Sequence, residues 1–146
     1  MSVLADLATY LRTKSGVTDL LATADTHKII RDGRLREGDG FPAIVLQSVS
    51  YQPNYSLTNQ VDVNQETVQI DCYAERNPYD AKALDEQVRL VLSGYKGVMG
   101  NTSCRGAFIR SSRDLTTKPT DASDDWRPRV SRDYEIFYTQ AIPSWS

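Results

Sequence analysis

Between Thr67 and Ala74 apolar and polar residues alternate without a break. Val68, Ile70, Cys72 and Ala74 form one row, and Thr67, Gln69, Asp71 and Tyr73 form the other. Successive side chains of a strand point to opposite faces, so a period of two with one apolar row specifies a half-buried antiparallel strand. It is expected to span about Val61 to Ala74, and the apolar row needs another layer to cover it.

The flanking segments supply the rest of a sheet. Ala43–Tyr51 reads as a strand opened by Pro42. Its first half, Ala43-Ile44-Val45-Leu46, is apolar on both faces, which suits a position inside the sheet. Residues 52 to 60 are polar and read as the tip of a long hairpin to the alternating strand. His27 to Arg31 is a weaker strand around Ile29 and Ile30. Residues 32 to 40 hold three glycines and five charges and read as a surface loop. Cys104 to about Leu115 is a further strand with Ala107-Phe108-Ile109 as its most apolar part. Arg129 to Gln140 is the last strand, with Val130, Tyr134, Ile136 and Tyr138 on one face. Residues 116 to 127 between them read as a second hairpin loop.

Two segments have helical spacing. Val3, Leu4, Leu7, Tyr10 and Leu11 form one apolar stripe, with Ser2 placed to cap the amino end. Ser15-Gly16 is expected to close this helix through a left-handed glycine. Val17 to Ala22 then adds a short turn, with Leu20 and Leu21 completing the apolar patch. Asn77-Pro78 opens the second helix, Asn as N-cap and Pro at the first position, and it runs to about Ser93. Ala81, Leu84, Val88 and Val91 share a face, whereas Asp80, Lys82, Asp85, Glu86 and Arg89 are expected to face water. Gly94 ends the helix, and Gly97 and Gly100 are expected to make the next loop flexible. Long strands, hairpins and two singly striped helices specify an α+β fold. It would be an antiparallel or mixed sheet of about four to five strands with both helices on one face. One domain, 1–146, is expected, with 141–146 as a loose tail.

Charge and composition narrow the partners. Lys and Arg total 17 against 19 Asp and Glu, a net charge of −2. That gives no reason to expect a duplex-binding protein, which carries a basic stripe. No run approaches the ~20 apolar residues of a membrane helix, and the start, Met1-Ser2-Val3-Leu4-Ala5-Asp6, is unlike a secretory signal. Cys72 and Cys104 make neither a CxxC pair nor a metal spacing. They are expected to be reduced, packed as small hydrophobes, in a reducing cytoplasm.

Catalytic constellations are sought without success. His27, the single histidine, has no partner to orient it as a base. Gly94-Tyr95-Lys96-Gly97 is not a phosphate-binding loop. Gly33 to Gly40 leads into a strand, not into the helix of a dinucleotide site. Glu37 with Asp39, and Asp121 with Asp124 and Asp125, lack the pattern of a hand-type calcium loop. Arg127, Arg129 and Arg132 with Trp126 and Tyr134 offer cations and rings to a nucleic acid or a phosphate, but Asp124, Asp125 and Asp133 favour plain cross-strand pairing. No catalytic, cofactor or metal residue is expected. The eight tyrosines, with Tyr51, Tyr55, Tyr73, Tyr79 and Tyr95 outside the clear apolar rows, suit either protein contact or ordinary half-burial.

From Val3 to about Tyr138 the order of blocks resembles the tail completion (tail terminator) family of long-tailed bacteriophages and prophages. The blocks are Ser15-Gly16-Val17-Thr18-Asp19-Leu20-Leu21, Phe41-Pro42-Ala43-Ile44-Val45-Leu46-Gln47, Val68-Gln69-Ile70-Asp71-Cys72-Tyr73-Ala74, Tyr79 to Leu84 with Val88 to Leu92, Phe108 to Asp114, and Tyr134 to Tyr138. The resemblance implies a non-enzymatic virion assembly protein without cofactors. It would cap the head-proximal end of the tail tube, end tube polymerisation and join tail to head, as a ring, a hexamer by the family's example. Its partners would be copies of itself, the major tail tube protein and the head–tail connector or neck proteins, with no membrane and no sequence-specific nucleic acid. It would reside at the head–tail junction of the virion after assembly in the host cytoplasm. Docking is expected on the hairpin tips, Tyr51 to Asn64 and Ser111 to Trp126, with Tyr51, Tyr55, Asn59, Arg113 and Trp126 as interface candidates. A head-closure, neck or minor tail role is the alternative within the virion. A small enzyme and a nucleic-acid-binding module are alternatives outside it.

Overall fold

The alternating strand lies at the heart of the sheet. In the computed structural model, which describes residues 3–24, 27–35, 39–52, 63–75, 77–100, 102–115 and 128–139, it is β5 (Val63–Tyr73). It pairs antiparallel with β4 (Ala43–Gln52) on one side. On the other it pairs with β8 (Arg129–Thr139) through eleven consecutive rungs, Val63 with Thr139 to Tyr73 with Arg129. β7 (Thr102–Asp114) pairs antiparallel with β8. The edges are two short strands, β3 (Ile30–Asp32), parallel to β4, and β6 (Gly97–Met99), antiparallel to β7. The six-stranded order is β3-β4-β5-β8-β7-β6.

Both main helices, α1 (Val3–Arg12) and α3 (Pro78–Leu92), cover one face of this sheet. Leu7 and Leu11 of α1 and Leu84, Val88 and Leu92 of α3 share one core cluster with Ile44, Leu46, Val68, Ile70, Cys72, Tyr134 and Ile136. Leu7, Leu11, Ile44, Ile70, Leu84 and Leu92 are wholly buried, each contributing roughly 1.5–3 kcal/mol relative to exposure. α3 opens as its sequence requires: the Asn77 side chain accepts from the Tyr79 N–H at 3.0 Å, and Pro78 occupies the first turn. The α+β class and the single helical layer are as the pattern predicts.

Several expectations need correction. The sheet has six strands, not four to five, and a two-stranded ribbon, β1 (Thr23–Ala24) with β2 (His27–Lys28), stands apart from it. The expected strand His27–Arg31 is thus split between two sheets. β1, β2, β3 and β6 have two or three residues each, too few to show a period. Gly97 and Gly100 belong to the β6–β7 hairpin, not to a flexible loop. Gly100 (φ +55°) turns against α1, where an added Cβ would lie 2.6 Å from an Asp6 carboxylate oxygen. Asp6 in turn accepts a hydrogen bond from the Thr102 hydroxyl.

Ser15-Gly16 opens the short α2 (Ser15–Thr18) and does not close α1. Gly16 is absent from the glycines of positive φ, and it packs so close to α3 that a Cβ would meet the Gln87 amide. Leu21 enters the core, but Leu20 is exposed. Asp85, expected in water, is buried. Phe108 and Ile109 are exposed even though they form the most apolar part of β7. The Ser2 cap, the hairpin tips at 53–62 and 116–127, and the tail 141–146 lie outside the described residues.

Candidate assembly surface

Buried polar groups come first, because they are where chemistry would hide. Arg132 reaches from β8 to Asp85 of α3 at 2.8 Å, both side chains largely buried. Burial raises the Asp85 pKa, and the Arg132 guanidinium opposes that rise. Burial also pushes up the Cys72 and Cys104 thiols and the Tyr134 phenol. Tyr10, stacked on Tyr95 at 4.3 Å between ring centres and donating to the Val91 carbonyl, is pushed up to about 12, by burial first. The two thiols and two phenols therefore keep their protons at neutral pH, the opposite of what a nucleophile needs. Among the described residues no three His, Cys, Asp or Glu side chains gather as a metal site, and no helix is long and apolar enough to cross a membrane. His27 falls in β2.

The face of the sheet away from the helices carries a polar ladder. Arg129 pairs with Asp71 at 2.8 Å and lies over the Tyr73 ring. Arg113 pairs with Asp133 at 3.3 Å, Arg110 with Glu135 at 3.7 Å, and Phe108 meets Phe137 edge to face. Arg129 makes a cross-strand pair, but with Asp71, and Arg132 turns to the other face; Asp124, Asp125 and Arg127 lie outside the described residues. The exposed pairs of Arg113 and Arg110 contribute only ~0–1 kcal/mol each, whereas the Asp71 carboxylate is buried.

Two strand ends depart from the half-buried pattern. Ala43 to Leu46 of β4 are buried, and then Gln47, Ser48, Val49, Ser50 and Tyr51 are all exposed. In β7, Phe108, Ile109, Arg110 and Ser112 to Leu115 are exposed, with Ser111 half-buried. Consecutive exposure on both faces means that each strand end projects past the helical layer. Each end is also an outer edge. On its β3 side β4 has no strand partner beyond Leu46, and on its β6 side β7 has none beyond Cys104 among the described residues. Val49, Tyr51, Phe108, Ile109 and Leu115 lie here, five of the nine exposed large apolar side chains among the described residues. Apolar edges of this kind recruit another strand.

What this fold serves is indicated by its relatives. The sequence profile of the family "Tail completion protein gp17" matches residues 5–130. The chain belongs to this tail completion family. One chain of a structure of the virion of a native gene transfer agent particle is 15% identical. The match covers 95% of this chain and 96% of that one, with a TM-score of 0.71. That is a likeness of fold. No curated protein matches the chain. As a member of this family it is a phage tail structural protein.

The interface candidates of this tail completion protein divide in two. Tyr51 lies on the bare end of β4 opposite Glu66, and Arg113 on the bare end of β7 opposite Ser131. They stand on opposite edges of the sheet. Tyr55, Asn59 and Trp126 lie outside the described residues. Sequence reasoning missed Val49, Phe108, Ile109 and Leu115. For Phe108 and Ile109 the signal is their adjacency, since one face of a strand cannot bury both; Val49 and Leu115, each between polar neighbours, carry no such signal.

Proposed function

We propose that this chain is a tail terminator. It caps the head-proximal end of the tail tube, ends tube polymerisation and joins the tail to the head. It acts as one domain over 1–146, as a ring of identical copies, six by the family's example, with no catalytic step, metal or cofactor. Its partners are the tail tube protein below and connector or neck proteins above, and it is assembled in the host cytoplasm. The family match over residues 5–130 carries this proposal. A fold shared with a gene transfer agent virion chain over nearly its whole length supports it, and the two bare strand edges are the kind of surface an assembling subunit needs. Tyr51 and Arg113, with Tyr55, Asn59 and Trp126, are the proposed contact residues.

The test is electron microscopy of particles made without this chain. Filled heads beside unattached tails of irregular, often excessive length are expected. Tails of normal length that fail to join heads would move the protein to the neck. The absence of tails would make it a tube or baseplate part.

A further inference from the structure

We infer that the bare ends of β4 (Gln47–Gln52) and β7 (Phe108–Leu115) are the two halves of one subunit interface, in which β7 of one copy pairs antiparallel with β4 of the next. The inference rests on the ring proposed above and names the surface that would close it.

Direction supports it first. β4, β5, β8 and β7 are joined by three antiparallel pairings, so β4 and β7 run opposite ways. A second copy set beside the first by rotation about an axis near the strand direction therefore brings β4 antiparallel to β7. Contacts of this kind use two different patches, and they close into a ring when the rotation closes.

The edges also fit as a stepped joint. β3 fills the amino-terminal half of the outer edge of β4, stopping at Leu46, where the Gly33 N–H donates to the Leu46 carbonyl. β6 fills the amino-terminal half of the outer edge of β7, and the Gly94 N–H donates to the Ala107 carbonyl just past it. The two vacant halves lie at opposite ends of the sheet and are six and eight residues long. Seating Leu115 above the neighbour's β3, beside Gln47, places Ser50 opposite Arg113 once the β4 bulge at Val49 is counted, and Gln52 then stops short of the neighbour's β6.

The step carries a geometric consequence. Within one sheet Ser50 is level with Thr67, Glu135 and Phe108. Across the joint it faces Arg113, which is four rungs further along β7. Four rungs are about 13 Å, and four strands about 19 Å across. A closed ring therefore needs strands inclined by about 35° to its axis, close to the tilt at which closed sheets ordinarily settle.

Charge agrees. The bare end of β7 carries Arg110 and Arg113 against Asp114; Arg110 makes a long exposed pair with Glu135, and Arg113 pairs with Asp133 and donates to the Ser111 and Ser131 hydroxyls. Asp32 closes β3 beside Leu46, and Glu66 stands opposite Tyr51. No ion pair holds either acid among the described residues, although Arg34 lies two positions beyond Asp32. Burial and then the Asp32 carboxylate raise the Glu66 pKa, while the Ser48 and Tyr138 hydroxyls lower it.

The experiment is disulfide trapping in assembled particles carrying the full chain. Ser50→Cys combined with Arg113→Cys, both at exposed positions, is oxidised with copper–phenanthroline and run on a non-reducing gel. Cys72 and Cys104 are buried and stay silent. A ladder of oligomers from the double variant, with neither single variant linking, is expected. A stronger ladder from Ser50→Cys with Phe108→Cys would overturn the stepped register. A dimer from Arg113→Cys alone would replace it with a two-fold β7–β7 contact. No link in particles whose micrographs show a ring at the tail end would sink the interface and leave the terminator role standing. No ring on wild-type tails would remove both.

Discussion

Removing the cation of the buried Arg132–Asp85 pair tests how α3 is held on the sheet. The side chains of Arg132 and Asp85 are 14% and 7% exposed and meet at 2.8 Å. Nε and Nη1 of Arg132 and one carboxylate oxygen of Asp85 find no further partner among the described residues, so each charge depends mainly on the other. Taking away one partner of such a pair costs about 3–5 kcal/mol, because the charge left behind stays desolvated. Arg132→Met should lose that much at neutral pH. At about 2–4 °C per kcal/mol for a chain of this size, the melting temperature should fall by about 10 °C. The double variant Arg132→Met/Asp85→Leu should recover most of the loss, since an apolar pair of similar volume is often neutral or better.

The sign with pH follows from the direction of the Asp85 shift. Its folded pKa stands above the ordinary value, chiefly through burial, and losing Arg132 raises it further. A raised carboxyl contributes stability that is complete below its unfolded pKa of about 3.9 and is lost as pH rises through the folded value. The gap between Arg132→Met and the parent should therefore narrow as the solution is acidified from neutral into the carboxyl range, and the double variant should show no such trend. Urea unfolding followed by fluorescence at several pH values reads both effects. A single variant within about 0.5 kcal/mol of the parent, the range of an ordinary surface change, would refute the reasoning, and so would a gap that widens in acid.

Two further substitutions probe the scaffold beneath the assembly surface. Leu84→Ala removes a wholly buried side chain between α3 and the sheet and should cost about 2–5 kcal/mol in the same unfolding assay. Gly100→Ala puts a Cβ into a left-handed turn and within 2.6 Å of Asp6. It should cost at least ~1–2 kcal/mol, with early loss of amide protection in β6 and at Thr102 on hydrogen exchange.

The elements legible in the sequence were those that the chain buries by itself. β5 shows a clean period of two because one face meets the helices and the other carries the polar ladder, where Thr67 and Asp71 are buried among polar partners. Asn77-Pro78 announces α3 because an N-cap is a local matter. Asp85 looked like a surface acid because its partner Arg132 is brought to it only by the pairing of β5 with β8, and no local pattern encodes that contact. Phe108 and Ile109 looked like core for the opposite reason. An apolar residue reads as buried from sequence whether its cover comes from the same chain or from another copy. From sequence, the contact candidates Tyr51 and Arg113 read as parts of two hairpin tips. The structure sets them instead on two opposite sheet edges, a relation that depends on the strand order and not on loop length.

β3 and β6 were illegible because three residues cannot show a period, and the same shortness gives them a use. A full-length edge strand would cover β4 or β7 completely and leave nothing to recruit a neighbour. An absent one would leave the whole edge open, free to pair in any register or to add strands without limit. A three-residue strand covers half an edge and ends in a fixed place, at Leu46 on one side and Cys104 on the other. In the interface inferred above, the end of β3 is the stop against which an incoming strand seats. Shifting the pairing one way drives Leu115 into β3, and shifting it the other way leaves Gln47 and Ser48 unpaired. Register between copies is then set by the parts of the fold with the weakest sequence signal. Lengthening β3 should block assembly even in a chain whose core is untouched.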